Sequence, residues 1–132
     1  MIFLKPNPAV GVPIYLQLME QVKHAIGTAA LRPGEQLPGI RPLAEQLVIN
    51  VNTVAKAYRE LEHEGVIEIR QGAGAFVAAN GTARQAVDQL RVAHGLVGKT
   101  IDQLRATGLT EGEIRRVFEA ELAGLSFKGG QQ

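Results

Sequence analysis

The strongest constraint on the fold lies between Ile40 and Ala78, where two helical periods are followed at once by two strand-like runs. Ile40, Leu43, Ala44 and Leu47 stand at i, i+3, i+4 and i+7, and Val54, Ala57, Tyr58 and Leu61 repeat that spacing. Each set lines one face of a short helix. Only Val48-Ile49-Asn50-Val51 separates the two, and Asn50 is suited to cap the second. Gly65, after Glu64, is suited to end it. Two short helices joined by a tight turn form a helix-turn-helix. Val66-Ile67-Glu68-Ile69-Arg70, a Gln71-Gly72-Ala73-Gly74 turn and Ala75-Phe76-Val77-Ala78 then read as a hairpin. A two-stranded hairpin is marginal alone, so Ile67, Ile69 and Phe76 are expected to lean on the helices. A hairpin in that place is the wing of a winged helix.

The flanks extend this frame. Residues 1–12, with Pro6, Pro8 and Gly11, read as an extended arm. Pro13 fits a first helical turn. Tyr15, Leu18, Val22, Ala25, Ile26 and Ala29 form the apolar stripe of a helix ending near Leu31. Arg32-Pro33-Gly34 and Leu37-Pro38-Gly39 are breaks. Downstream, Asn80-Gly81-Thr82 marks a boundary, with Thr82 as N-cap. Val87, Leu90, His94, Val97, Ile101 and Leu104 then alternate steps of three and four, a heptad-like stripe interrupted by Gly95 and Gly98. Thr107-Gly108-Leu109 ends that helix, and Thr110 with Glu113 forms a capping box. Ile114, Val117, Phe118, Leu122 and Leu125 give the last helix one apolar side, and Lys128 to Gln132 reads as a frayed tail. The expected architecture is mainly α with a small β-hairpin. A winged helix-turn-helix over residues 1–80 is followed by a short α-helical dimerisation region over 81–132.

Composition excludes more than it selects. The chain of 132 residues has no cysteine, which rules out thiolate zinc sites and thiol catalysis and fits a reducing cytosol. The apolar run from Met1 to Pro6 is too short for a signal peptide, and no stretch approaches a membrane span, so a cytoplasmic protein is expected. Of the three histidines, His24, His63 and His94, only His94 lies in the tail. It stands on the apolar stripe with no metal-ligand spacing around it, and reads as a packed or interface residue. Gly72-Ala73-Gly74 joins two strands rather than a strand and a helix, so it is not a dinucleotide loop. No nucleophile–base constellation is present, and neither an enzyme nor a cofactor or metal is expected. Net charge is only +1. DNA-binding domains often carry a larger basic excess, so local placement must decide.

A helix-turn-helix lays its second helix in the major groove, with that helix's N-terminal residues facing base edges. Those residues are Asn52, Thr53 and Lys56. Asn pairs bidentately with adenine, Thr bonds bases or touches a thymine methyl, and Lys meets guanine or phosphate. Arg41 lies beside the free N–H groups opening the first helix, which favours a phosphate. Arg70, Gln71 and Gly72 form a small wing tip suited to a minor groove or backbone. Glu60, Glu62 and Glu64 keep the distal end of the second helix out of the groove. Taken singly, Asn50 and Asn52 could be caps, Arg41 and Lys56 solvated charges, and Gly72 and Gly74 plain turn residues. The small net charge and the acidic distal end favour one alternative, a winged-helix protein-interaction module without DNA readout.

Pro13-Ile14-Tyr15, Leu31 through Pro38, Arg41-Pro42-Leu43-Ala44, Asn52-Thr53-Val54, Tyr58 through Glu62, Glu64-Gly65 and Gln71 through Val77 together resemble the DNA-binding domain of GntR-family regulators. The resemblance runs from about Pro13 to Ala78. Asn52 through Tyr58 and the short helical tail resemble the YtrA-type subfamily. The resemblance implies a homodimeric repressor on a roughly palindromic double-stranded DNA operator, with transporter genes as targets. It also implies that the tail makes the dimer, through Val87, Leu90, His94, Val97, Ile101, Leu104, Ile114, Val117 and Phe118. An effector is not named by the sequence, and a pocket for a small-molecule effector would lie between domains or at the dimer interface. Some relatives fuse this domain to an aminotransferase-like enzyme, but the residues after Asn80 are far too few for one. The chain departs from the family pattern at Gly39, Pro42, Val51 and Ala73, where serine, an acidic residue, proline and a basic residue are usual. It also lacks an arginine at Val51 or Ala55, so base readout falls on Asn52, Thr53 and Lys56.

Overall fold

The computed structural model describes residues 4–79 and 81–125, in two compact units, Met1–Leu90 and Arg91–Gln132. Asn80 and the tail Lys128 to Gln132 lie outside the described residues. The first unit holds α1 (Ile14–Gly27), α2 (Ile40–Leu47), α3 (Val51–His63), β1 (Ile67–Arg70), β2 (Gly74–Val77) and the opening turns of α4 (Thr82–Ala106). Its centre is α3, which packs against α1, α2 and β1. Val54, Ala57, Tyr58 and Leu61 of α3 are buried, as their spacing predicts. Leu18, Val22 and Ile26 of α1, Leu43 and Ala44 of α2, and Ile67, Ala75 and Val77 of the hairpin complete the core. Burying each large aliphatic side chain is worth about 1.5–3 kcal/mol.

Two polar ties cross this core. The Tyr58 hydroxyl donates to the Pro38 carbonyl at 2.6 Å, so the buried phenol has its partner. Burial pushes its pKa up and keeps it a donor. The buried Lys23 ammonium lies 2.7 Å from the Glu64 carboxylate, which joins α1 to the end of α3.

β1 and β2 pair antiparallel, with Ile67 opposite Val77 and Arg70 opposite Gly74. The second edge of β2 is also occupied. Gly34 N–H donates to the Val77 carbonyl, Val77 N–H to that of Glu35, and Leu37 N–H to that of Ala75. This third extended segment supplies the support that a two-stranded hairpin lacks. Ile67 leans on the helices as expected, but Ile69, nearer the wing tip, is 40% exposed. Phe76 is only half-buried because it alternates with the buried Ala75 and Val77 and so stands on the other face of the hairpin, opposite Glu68.

Three helices end in one and the same geometry. Beyond α3, Gly65 N–H donates to the Glu62 carbonyl and Val66 N–H to that of Leu61. Gly65 has φ +77, the left-handed position of a Schellman motif. Gly124 repeats the pattern after α5 (Glu111–Leu122). Beyond α2 the same two bonds form, from Val48 to Glu45 and from Ile49 to Ala44, but the left-handed residue is Val48, at φ 57. That conformation costs an L residue roughly 1–2 kcal/mol. Val48 is 88% exposed, so it loses little packing if replaced. Glycine there gives back roughly 0.5–1 kcal/mol in chain entropy. Val48→Gly is therefore expected to stabilise the first unit by about 1 kcal/mol and raise Tm by several degrees. A thermal melt in which Val48→Gly lowers Tm would show that the turn is held by something other than backbone geometry.

Four sequence expectations are corrected. α1 ends at Gly27, not near Leu31, because Ala29 takes a left-handed conformation at φ 65 and turns Leu31 into the core. Thr82 is the first residue of α4 rather than its cap. The N-terminal arm is not simply extended. Leu4 is buried, and Asn7 caps a single 3-10 turn over Pro8–Val10. Two side-chain amides on one face of α1 grip its backbone. Gln21 accepts from Lys5 N–H and donates to the Lys5 carbonyl, and Gln17 does the same at Asn7. Finally, the first unit does not stop at residue 80. Ala83 and Val87 are buried in its core, Val87 at 8% exposure, and the unit continues to Leu90. Val87 thus packs inside its own winged helix and is withdrawn from the dimerisation residues.

In the second unit α4 runs unbroken through Gly95 and Gly98, and every residue from Arg91 to Thr100 is exposed. The capping box forms. Glu113 N–H donates to the Thr110 hydroxyl at 3.2 Å, and Thr110 N–H donates to the Glu113 carboxylate at 2.8 Å, which holds that carboxyl below its usual range. Ile114 is buried, and Ile101, Leu104 and Phe118 are half-buried. Val97, Ile101, Ile114, Phe118 and Leu122 line a cavity of about 460 Å³ together with Arg105, Glu111, Arg115 and Glu119.

Candidate nucleic-acid interface

The first unit carries all the residues expected to read DNA, and Asn52, Thr53 and Lys56 lie in the opening turns of α3. Asn50 caps that helix through its side chain, which accepts from Asn52 N–H at 2.7 Å. The cap takes up the backbone of Asn52 and leaves its side chain exposed. Lys56 is exposed one turn further on, and its ammonium stands 4.1 Å from the centre of the Tyr15 ring. A cation over an aromatic face is attracted to it, so α1 steadies a side chain of α3. Thr53 is only half-buried, so part of its surface remains open.

Arg41 is exposed in the first turn of α2. The N-cap there is Gly39, which makes no side-chain capping bond. Pro42 follows and has no N–H to leave unpaired. Backbone donors and a guanidinium at one helix end suit an anionic oxygen.

The wing turn spans Arg70 to Ala73, closed by Ala73 N–H donating to the Arg70 carbonyl at 2.9 Å, with Gly72 at φ +79. That positive φ at the third turn position is the type II signature, which glycine accepts without strain. Gln71 and Gly72 are exposed at the tip. Arg70 is less free than the sequence implies. Its guanidinium lies 4.3 Å from the Phe76 ring and 3.2 Å from the Glu68 carboxylate. Exposed pairs of this kind are worth about 0.2–1 kcal/mol. Glu68→Gln is therefore expected to release Arg70 and raise DNA affinity about two- to fivefold, read by fluorescence anisotropy at fixed salt. If Glu68→Gln and Arg70→Ala both leave affinity unchanged, Arg70 does not belong to the interface.

The acidic end of α3 serves the fold. Glu62 accepts from Ile69 N–H at 3.1 Å and ties β1 to the helix, while Glu64 pairs with Lys23. Sequence reasoning treated both only as charges repelling DNA. No local signal marks either tie, because each partner is supplied by another element. Among the described residues, no cluster of histidine and carboxylate groups stands where it could hold a metal, and no helix is long and apolar enough to cross a membrane.

Comparison with known proteins agrees with this geometry. Residues 14–77 match the bacterial regulatory proteins of the gntR family. The chain is 42% identical over 74 residues to the HTH-type transcriptional repressor YtrA of Bacillus subtilis (strain 168), a match covering 56% of this chain and only 57% of that one. It is 37% identical over 115 residues to the HTH-type transcriptional regulator Rv1152 of Mycobacterium tuberculosis, covering 86% of this chain and 89% of that one. Among solved structures it is similar to YtrA from Sulfolobus acidocaldarius, a GntR-family transcription factor, with TM-score 0.54, 29% identity and coverage of 92% and 97%. The DNA-binding domain of AraR, solved in complex with operator ORX1, superposes on 58% of this chain and 93% of that one, with TM-score 0.50 and 28% identity. The chain therefore belongs to the gntR family of bacterial regulatory proteins, as a transcriptional regulator similar to the YtrA type.

Proposed function

We propose that the chain is a cytoplasmic repressor that binds a roughly palindromic operator as a homodimer, and that it has no enzymatic activity. One observation carries the DNA-binding part. The exposed side chains Asn52 and Lys56 open α3, with Arg41 of α2 in the same helix-turn-helix and the wing tip at Gln71 and Gly72. The operator complex of the AraR domain supports the same use of this fold. The second unit supports the dimer. Val92, Leu96, Val97, Val117, Leu122 and Leu125 all expose apolar surface there. Apolar side chains gathered on so small a unit favour burial against a partner. Val92 and Leu96 lie off the heptad-like stripe, and their i, i+4 spacing was the available signal. Leu90, His94, Val97, Ile101, Leu104, Val117 and Phe118 remain the proposed contributors, while Ile114, at 4% exposure, packs inside the second unit as Val87 does inside the first. The similarity to the YtrA repressor supports repression, and transporter genes remain the proposed targets.

Selection of bound sequences from random DNA, followed by a salt titration on the winner, tests this reading. Arg41, Lys56 and Arg70 make three cations per protomer and six per dimer. If all meet phosphates, log affinity should fall against log salt with a slope of about −5. No selected sequence, or a flat salt response, would leave the winged helix as a protein-interaction module.

A further inference from the structure

The wing is tied from outside at both edges, and one of the ties has no counterpart in the hairpin itself. Glu62 accepts from Ile69 on the β1 side. On the β2 side, Gln36 forms a bridge with Phe76, and its side-chain amide donates to the Ala73 carbonyl at 3.1 Å across 37 residues of chain. The side chain reaches Ala73 by lying across Gly74. A Cβ added at Gly74 would stand 2.7 Å from the Gln36 Nε2, well inside contact distance. Gly74 also has φ +122. Beyond the last ladder pair, Arg70 with Gly74, the turn is closed by the Ala73 to Arg70 bond. The Gln36 amide fixes the other side of Ala73, whose N–H closes the turn while its carbonyl accepts from outside.

We propose that Gln36 is a positioning residue for DNA binding, which sets where the wing tip Gln71–Gly72 stands relative to the recognition helix. The inference rests on the reading of the wing as a DNA contact. Gln36 sits in the loop leading to α2 and bonds the residue after the tip, so the wing is referenced to the helix-turn-helix rather than left to the hairpin.

The test uses Gln36→Met in the full chain, which keeps length and neutrality but removes the donor. Amide hydrogen exchange at Ala73, whose N–H closes the turn, should speed up several-fold in the free protein, with Tm nearly unchanged. Operator affinity should fall about threefold to tenfold, the range one neutral hydrogen bond can transmit. Hydroxyl-radical footprints should lose the flanking protections made by the wings and keep the central ones made by α3, which a general loss of stability would not do. Gly74→Ala provides the second arm. It carries backbone strain in any background, but it displaces the amide only where Gln36 is present. Its cost in affinity should therefore be smaller on top of Gln36→Met than alone. Unchanged wing exchange, unchanged affinity or strictly additive losses would each overturn the proposal while the wild type still selects its operator. A wild type that selects no DNA sequence would instead bring down the DNA-binding reading, and this proposal with it.

Discussion

Asn52→Ala is expected to cost about fivefold to 150-fold in discrimination between the operator and variants altered at one base pair, while the dimer and the fold survive. The size follows from one bidentate contact, worth about 1–3 kcal/mol against the wrong base. Survival of the fold follows from the division of labour at the start of α3. Asn50 makes the cap with its side chain, and Asn52 contributes only its backbone N–H. Alanine keeps that N–H. The exposed carboxamide is therefore removed with little effect on helix stability. Lys56→Ala is expected to lower preference as well, with its neighbour Tyr15 left in place. Competition gel shifts across single-base variants measure both. Full discrimination by the Asn52 variant would remove Asn52 from base readout. A loss for the Lys56 variant that is uniform across sequences, with a shallower salt slope, would assign Lys56 to the phosphates.

What was legible in the sequence was what depends on neighbours along the chain. Asn50, Gly65 and the Thr110–Glu113 box are local hydrogen-bond devices, and all three form. The apolar faces of α2 and α3 follow from period alone, and they position Asn52 and Lys56 outward. The ties that fix the site were not legible. Glu62 to Ile69, Lys23 to Glu64 and Gln36 to Ala73 join residues whose types fit an exposed surface equally well. The left-handed turns at Ala29 and Val48 escaped for a related reason. Glycine marks a left-handed position in sequence, whereas alanine and valine adopt it only because the packing around them requires it. Val87 was misassigned because a heptad-like stripe is continuous through Leu90 and says nothing about which partner covers each part of it.

That last misassignment changes where the chain should be cut. A fragment ending at Leu90 retains Ala83 and Val87 in the winged-helix core and should fold. A fragment ending at residue 80 loses both, and with the valine alone about 1.5–3 kcal/mol of burial. Against the roughly 5–15 kcal/mol that hold a small domain together, this is a large share. The shorter fragment should therefore melt well below the longer one. Both lack Arg91 onward, and under the proposed dimer both should sediment as monomers. The longer fragment isolates the function of the tail, because its recognition surface is intact. Its operator affinity should fall about 10²- to 10⁴-fold relative to the full chain, the usual loss when two linked half-site contacts become independent. Binding to a single half-site should be almost unchanged. A dimer from the Leu90 fragment would overturn the role given to the second unit. Equal melting of the two fragments would return Ala83 and Val87 to the tail, and with them the option of Val87 at the dimer interface.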